Sequence, residues 1–324
     1  MSGVLPKGPE ATGRISNDRP KGSVPQSAPA RIPINADIAM YQAKARGSAC
    51  HEIYDPKMHA NILDRLQLEA DMRGALEHKE FIVFYQPIID LKTHQTTGFE
   101  ALVRWNHPKR GLIYPLDFIP MAEENGLINT IGEWILRESC RELLVLQERY
   151  PMQHPLTMSV NISGKQFMQR DLVSKVSAII TDTGIDAHTL TLEVTESMIM
   201  EYIEMAVETM NQLRNMGVQI HIDDFGTGYS SLSYLHRFPI DAIKIDRSFI
   251  NKLSADEKNK EIIMSILSLA TSMNFEVIAE GVEMNHQLLN MQNMQCQFGQ
   301  GFLFSMPMKP DAIDAWVKAE QLKI

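Results

Sequence analysis

The segment His221–Leu232 reads HIDDFGTGYSSL: an apolar run delivers two adjacent carboxylates, Asp223 and Asp224, into a loop with two glycines and several hydroxyls. Adjacent like charges are costly away from water unless something neutralises them. Glu100, Asn161, Glu193 and Glu280 stand in comparable positions near the ends of other short β-rich stretches, and Lys244 is the one cation of the set. Oxygen-only donors suit hard divalent ions such as Mg²⁺ or Mn²⁺ rather than zinc or copper. The five carboxylates (−5) and Lys244 (+1) sum to −4, a charge that two divalent ions would cancel. Two such ions ~3.5–4 Å apart form the clamp used for in-line attack on phosphate esters.

Plainer readings exist for each residue taken singly. An acidic residue at a strand end is as often a helix cap or a solvated charge. Five strands repeating the pattern argue against coincidence. The DFG at Asp224–Gly226 echoes the kinase metal motif, but the chain has neither the Gly-rich phosphate loop nor an H-R-D loop. The ten histidines include no H-E-x-x-H, and the Met-rich NMQNMQ reads as gap-filling helix contacts. An enolase-type, metal-dependent carbon-acid enzyme remains a rival for the same donor set.

The elements that must position these residues alternate. Eight β segments are predicted at Phe81–Ile89, Gly98–Trp105, Thr157–Ser163, Leu190–Ser197, Val218–Gly226, Ala242–Phe249, Glu276–Glu283 and Cys296–Phe304, with helices between most of them. One helix carries Ile128, Ile131, Ile135, Leu143 and Leu146 on one side, and another spans about Glu204–Asn215. This pattern predicts an α/β fold, a (β/α)₈ TIM-type barrel, with a doubly wound open sheet as the alternative. Side chains alternate across a strand. Phe99, Ala101 and Val103 therefore oppose Glu100, Leu102 and Arg104; Met158, Val160 and Ile162 oppose Ser159 and Asn161; Leu190, Leu192 and Val194 oppose Thr191, Glu193 and Thr195. Likewise Val218, Ile220 and Ile222 oppose Gln219, His221 and Asp223, and Ile243 and Ile245 oppose Lys244 and Asp246. Each strand has a greasy face for outer helices and a polar face for the barrel axis, at the end where such barrels place their sites. Glu196 has the opposite parity to Glu193, so it needs another task; holding the loop Phe225–Ser231 through backbone N–H groups is one that fits.

A length of 324 residues allows one large domain or two ordinary ones, and a net charge of −9 argues against a general DNA, RNA or anionic-membrane binder. The three cysteines, Cys50, Cys140 and Cys296, have no zinc or disulfide spacing, so a reducing cytoplasm is the expected location. No apolar run reaches a membrane span, and no signal peptide opens the chain. Residues 1–34 are Pro-interrupted and polar and are expected to be disordered. A short helix with Asn35 as cap and Gly47 as stop should follow, then a second from about Ala60 to His78.

Together YQPI (Tyr85–Ile88), FEALVRW (Phe99–Trp105), VNIS (Val160–Ser163), LEVTES (Leu192–Ser197), DDFGTGYSSL (Asp223–Leu232), KIDRSF (Lys244–Phe249), AEGVE (Ala279–Glu283) and QGFLFSMP (Gln300–Pro307) resemble the EAL-domain family of cyclic di-GMP phosphodiesterases, over about Arg65–Val317. ADIAMYQAKARG (Ala36–Gly47) is similar to the closing helix of a GGDEF, or diguanylate cyclase, domain. After the segment at 1–34, whose disorder is expected from composition, the resemblance implies a GGDEF remnant and linker at 35–60 and an EAL domain at 61–324 whose first strand is antiparallel. It implies hydrolysis of cyclic di-GMP to pGpG with two Mg²⁺ or Mn²⁺ ions. Glu100, Asn161, Glu193 and Asp223 would hold one ion, and Asp224 and Glu280 would complete a second site. Lys244 would position or deprotonate the attacking water, with Gln300 supporting it. Gln86, Leu102, Arg104 and Asp246 would contact the nucleotide; Glu196 and Glu283 would hold the loop after Asp224. Family likeness also implies a homodimer through Ser230–Pro239, where Tyr234 and Leu235 are expected to be exposed. The alternative is a catalytically silent cyclic di-GMP receptor, against which stands the presence of every expected ligand residue.

Overall fold

The first strand reads FIVFYQPIID and the second TTGFEALVRWNH, long alternating runs that favour a pleated ribbon. In the computed structural model β1 (Phe81–Asp90) and β2 (Thr96–His107) pair antiparallel, with Gln86 opposite Glu100 and Phe84 opposite Leu102. The structure describes residues 56–227, 235–253 and 257–321. It divides into two compact units, residues 1–68 and 69–324; of the first, only the start of helix α1 (Pro56–Ala75) lies among the described residues. The expected disordered segment at 1–34 and the helix at 35–47 lie outside them.

Parallel strands β4 (Thr157–Asn161), β5 (Leu190–Thr195), β6 (Gln219–Phe225), β7 (Ala242–Ile245), β8 (Glu276–Ala279) and β9 (Phe298–Gly299) continue from β2 in that order. Strand β9 returns to β1, and the β1–β2 pairing closes the ring. The result is an eight-stranded barrel in which β1 runs antiparallel to both neighbours. A short β3 (Gly111–Ile113) extends the hairpin beyond β2.

The helices lie where the greasy strand faces need cover. Helices α2 (Pro115–Asn125) and α3 (Ile128–Arg149) follow the hairpin, and α3 buries Ile128, Ile131, Ile135, Leu143 and Leu146. An aromatic cluster of Phe81, Trp105, Phe118 and Trp134 joins β1 and β2 to these helices at centroid distances of 5.6–6.2 Å. Helices α4 (Gly164–Phe167), α5 (Leu172–Thr183), α6 (Glu196–Glu201) and α7 (Ile203–Asn215) follow β4 and β5. Helices α8 (Arg247–Asn251), α9 (Glu257–Met273), α10 (Asn285–Asn293) and α11 (Pro310–Gln321) complete the ring.

Several boundaries differ from expectation, each for a local reason. Helix α1 ends at Ala75, not His78, because the Glu80 N–H returns to the Ala75 carbonyl and Lys79 turns left-handed at φ 55°. Strands β4, β5 and β7 stop earlier than predicted because the polar residues after them start helices, whereas β1 and β2 run on to Asp90 and His107. Ser163 forms a capping box with Gln166, Glu196 opens α6, and Asp246 accepts the Ser248 N–H at 3.0 Å. Leu235, expected to be exposed, is only 1% accessible. Tight turns returning the Phe238 and Ile240 N–H groups to the Leu235 and Phe238 carbonyls accompany the burial of Leu235, Phe238 and Ile240. Tyr234 lies outside the described residues.

Gly98 marks where β2 presses on β4. A Cβ there would lie 2.1 Å from Thr157 Oγ1 and 2.6 Å from the Thr157 carbonyl oxygen. Gly98→Val is therefore expected to cost ~1–3 kcal/mol as overpacking. A fall of several degrees in melting temperature, by circular dichroism, is the expected result; an unchanged melt would show that β2 and β4 can separate freely.

Candidate functional site

Lys244 sits at the centre of the barrel mouth with no accessible surface. It projects from β7 between β6 and β8, and Asp223 of β6 and Glu280 just after β8 converge on it. Its Nζ lies 2.7 Å from Glu193 Oε2, 2.7 Å from Glu280 Oε1, 3.3 Å from Glu100 Oε2 and 3.5 Å from Asp223 Oδ1. Asn161 donates to Glu100 Oε1, and Gln300 donates from Nε2 to Glu100 Oε2 at 2.7 Å and to Gln86 Oε1 at 3.0 Å. Gln86 in turn donates to the Ser305 carbonyl at 3.0 Å. The inward faces of six strands and the residues just after two of them thus meet in one network.

Charge in this network is unbalanced. Burial works against the Lys244 ammonium, but Asp223, Glu100, Glu193 and Glu280 hold its pKa well above the ordinary lysine value. Burial also opposes the Glu100 carboxylate, yet Lys244 with the Gln300 and Asn161 hydrogen bonds keeps it below the usual range. One lysine does not serve all its neighbours. Burial, then the repulsion of Glu100 and Asp223, pushes Glu193 far up despite Lys244. Burial and the same kind of repulsion carry Glu280 to about 8. Asp224 also moves up, from partial burial and the Asp223 and Asp246 charges.

The two adjacent aspartates share the mouth through a break in strand regularity. Pairing between β6 and β7 shifts register between Ile222 and Phe225, and Asp224 takes a left-handed backbone at φ 54°. In a regular strand neighbouring side chains would diverge. Here oxygens of Asp223, Asp224 and Glu280 lie within 4.8 Å of one another. The donor chemistry fits divalent cations: oxygen ligands, excess negative charge, and a Glu193 Oε1 and Gln300 Oε1 that are buried with no hydrogen-bond partner among the described residues. The Glu196 Oε2 accepts the Gly226 N–H at 3.0 Å, just past the aspartates, and Gly226 has φ 93°.

Other residues named from the sequence fall around this centre. Leu102 lines a cavity of about 450 Å³ with Asn161, Asp223 and Asp224, extending to Pro115 and Leu116. Arg104 is buried, and its guanidinium lies 5.6 Å from the Phe84 ring and 5.1 Å from the Tyr114 ring. Burial lowers its pKa, against the pull of Tyr114 and Glu100. Asp246 is occupied as the α8 cap. Glu283 is exposed; its backbone N–H donates to Gln287 Oε1 at 2.7 Å, and no bond from its side chain to residues 225–227 is present among the described residues. Sequence reasoning gave no role to Phe84, Tyr114 or His221. His221 is buried and neutral, its pKa taken down to about 3 by burial and by Lys244, and its Nδ1 has no hydrogen-bond partner among the described residues.

The raised carboxyl groups give a pH signature. Between pH ~4.5 and ~8 the unfolded chain has released the Glu280 proton while the ion-free fold keeps it, so this group's contribution to stability declines as pH rises through that window. Lys244 and Glu100, shifted outward from the window, add no slope within it. A divalent ion replaces those protons. The rise in melting temperature on adding Mg²⁺ or Mn²⁺ is therefore expected to be larger at pH 8 than at pH 6; an equal rise at both would count against the carboxylate cluster as the binding site.

The EAL domain family matches residues 69–307. The bifunctional diguanylate cyclase/cyclic di-GMP phosphodiesterase MucR of Pseudomonas aeruginosa is 41% identical over 284 residues, 88% of this chain and 41% of the relative. The cyclic di-GMP phosphodiesterase PdeR of Escherichia coli is 37% identical over 284 residues, 88% of this chain and 42% of the relative. Among solved structures, a P. aeruginosa MucR phosphodiesterase in complex with c-di-GMP is 40% identical with a TM-score of 0.74, covering 76% of this chain and 99% of that one. The EAL enzyme Bd1971, with cAMP and cyclic di-GMP bound, is 36% identical with a TM-score of 0.75, covering 89% and 75%. The chain spans only 34% to 42% of the length of these and other curated relatives. With a family match over most of its length, this chain belongs to the EAL-domain family.

Proposed function

We propose that this chain hydrolyses one phosphodiester bond of cyclic di-GMP to give linear pGpG, using two Mg²⁺ or Mn²⁺ ions. The observation that carries this reading is the five-carboxylate cluster around a single buried lysine. Relatives named as cyclic di-GMP phosphodiesterases support the choice of substrate. Glu100, Asn161, Glu193 and Asp223 would hold one ion, and Asp224 and Glu280 would complete the second site beside it. When bound, such ions acidify water and neutralise charge on the phosphoryl group.

The chain's own residues do the rest. Lys244, held charged by four carboxylates, has no free lone pair, so positioning suits it better than proton abstraction. Gln300 fixes Glu100 and Gln86 at once. Gln86, Leu102, Arg104 and Asp246 would contact the nucleotide, with Asp246 doing so alongside its capping bond. Glu196 would hold the loop after Asp224 through the Gly226 N–H, and with it both aspartates; Glu283 would assist from the next loop.

The upstream region enters the same reading. We read Ala36–Gly47 as the end of a diguanylate cyclase domain, with residues 35–60 joining it to an EAL domain at 61–324. The 284-residue likeness to MucR exceeds the span from residue 69 to the end, so it runs into this segment. A homodimer now rests on Tyr234 alone of the two side chains that suggested it, since Leu235 is buried. No helix among the described residues is long and apolar enough to cross a membrane, and the buried free thiols of Cys140 and Cys296 suit a reducing cytoplasm.

Incubation with cyclic di-GMP and Mg²⁺ or Mn²⁺, with products resolved by chromatography, is expected to yield pGpG, and EDTA to abolish it. Glu100→Ala or Asp223→Asn should remove the activity while circular dichroism stays native. Binding of the nucleotide without product under fresh Mn²⁺ would instead identify a receptor.

Removing the loop anchor should look different. Glu196→Ala is expected to lower turnover by ~10- to 100-fold, the usual cost of losing a group that orients a ligand. Excess Mg²⁺ should restore part of the rate, which it should not do for Asp223→Asn. Wild-type kinetics of Glu196→Ala at limiting Mg²⁺ would remove the anchoring role.

A further inference from the structure

Tyr114 occupies a position that local rules assign to another kind of residue. It is the N-cap of α2, with extended backbone (φ −90°, ψ 156°) and Pro115 at the first helical position. N-caps favour Ser, Thr, Asp or Asn, whose side chains accept a free N–H of the first turn. Tyr114 makes no such bond, so this helix start forgoes its side-chain cap. A residue that breaks a local rule without local gain points to a use elsewhere.

That use is visible at Arg104. The Tyr114 ring lies 5.1 Å from the Arg104 guanidinium, and Phe84 of β1 lies 5.6 Å from it, both within cation–π range. Arg104 is 8% accessible, and the one hydrogen-bond partner of its guanidinium among the described residues is the Val103 carbonyl, 2.8 Å from Nη1. A guanidinium carries five N–H groups in a fixed fork. Most of this fork is therefore held by rings rather than by carboxylates, which leaves its donors free for an anion. Arg104 shares the inward face of β2 with Glu100 and Leu102, and Pro115 and Leu116, next to Tyr114, line the cavity that reaches Asp223 and Asp224. Tyr114 itself is 55% accessible, so its ring stands at the protein surface beside Arg104, one residue before the cavity-lining Pro115.

We propose that Tyr114 is a positioning residue for the nucleotide: with Phe84 it holds the Arg104 guanidinium as a preset, anion-reading fork beside the carboxylate cluster. The inference rests on the cyclic di-GMP reading of this site. A ring suits the task better than a carboxylate would, because a salt bridge would compete with the phosphate for the same donors. Ring contact leaves the in-plane N–H groups unengaged while restricting the side chain's rotamers. The effect belongs to ground-state and transition-state binding alike, so it should appear in KM and not in kcat.

Tyr114→Ser separates this role from a structural one, because serine supplies the missing cap. It is expected to leave the melting temperature unchanged or higher while raising the KM for cyclic di-GMP about 3- to 30-fold, the span that cation–π loss covers, with kcat within about twofold. Tyr114→Phe keeps the ring and should keep the wild-type KM. In crystals of Tyr114→Ser without nucleotide, the Arg104 side chain should spread over several rotamers, a readout independent of substrate. Wild-type KM in Tyr114→Ser, or a loss in Tyr114→Phe equal to that in Tyr114→Ser, would overturn the proposal, as would an unmoved Arg104. Wild-type protein that neither binds nor cleaves cyclic di-GMP would instead refute the substrate reading, with the Arg104 conformers still judging the ring contact.

Discussion

The ion-pair cluster around Lys244 is the constraint that the rest of the structure answers to. A lysine with no accessible surface is tolerable only with close opposite charge, and four carboxylates supply it within 3.5 Å. Those carboxylates come from β2, β5, β6 and the end of β8, so the barrel must close for the cluster to exist. The same closure overshoots. Five negative charges face one positive one, and Glu193 and Glu280 respond by holding their protons. The donor set, all oxygen and in negative excess, is of the kind that suits a hard divalent cation.

Around that centre, amides and backbone breaks do the fine placement. Gln300 and Asn161 tie Glu100 from two sides, and Gln86 passes the link to the loop after β9. The register shift in β6 and the left-handed turn at Asp224 bring two consecutive side chains to one mouth. The Gly226 N–H on Glu196 then ties the loop to the start of α6. At Asp224 a left-handed backbone and a register shift coincide with the converging donors, as expected when geometry at a site is set against local preference.

The second wall of the mouth uses different physics. Aromatic rings rather than acids hold Arg104, and apolar residues around Leu102 and Leu116 line the adjoining cavity. Arg104 and the carboxylate cluster share the inward faces of the barrel strands, with Leu102 between Glu100 and Arg104 on β2.

How much of this was legible beforehand follows from the range of the forces involved. Alternation along β2, β4, β5, β6 and β7 is a property of each strand alone, so the polar row of Glu100, Asn161, Glu193, Asp223 and Lys244 could be read from parity, and the count of strand and helix units implied a barrel. Strand ends could not be placed well, because Ser163, Glu196 and Asp246 serve as helix starts only once the helices form. Leu235 looked exposed because its burial depends on a turn that residues 235–240 make against the barrel. The antiparallel sense of β1 came from family likeness, since parity is the same in either direction. Nothing in the local sequence announced that Asp224 would abandon strand geometry to join Asp223, or that Tyr114 would reach Arg104 across the hairpin. The sequence by itself determined which residues share a face and which chemistry they could hold. Only the closed barrel decided which of them touch, because contact between strands far apart in the chain is set by register and closure, not by any pattern within a strand.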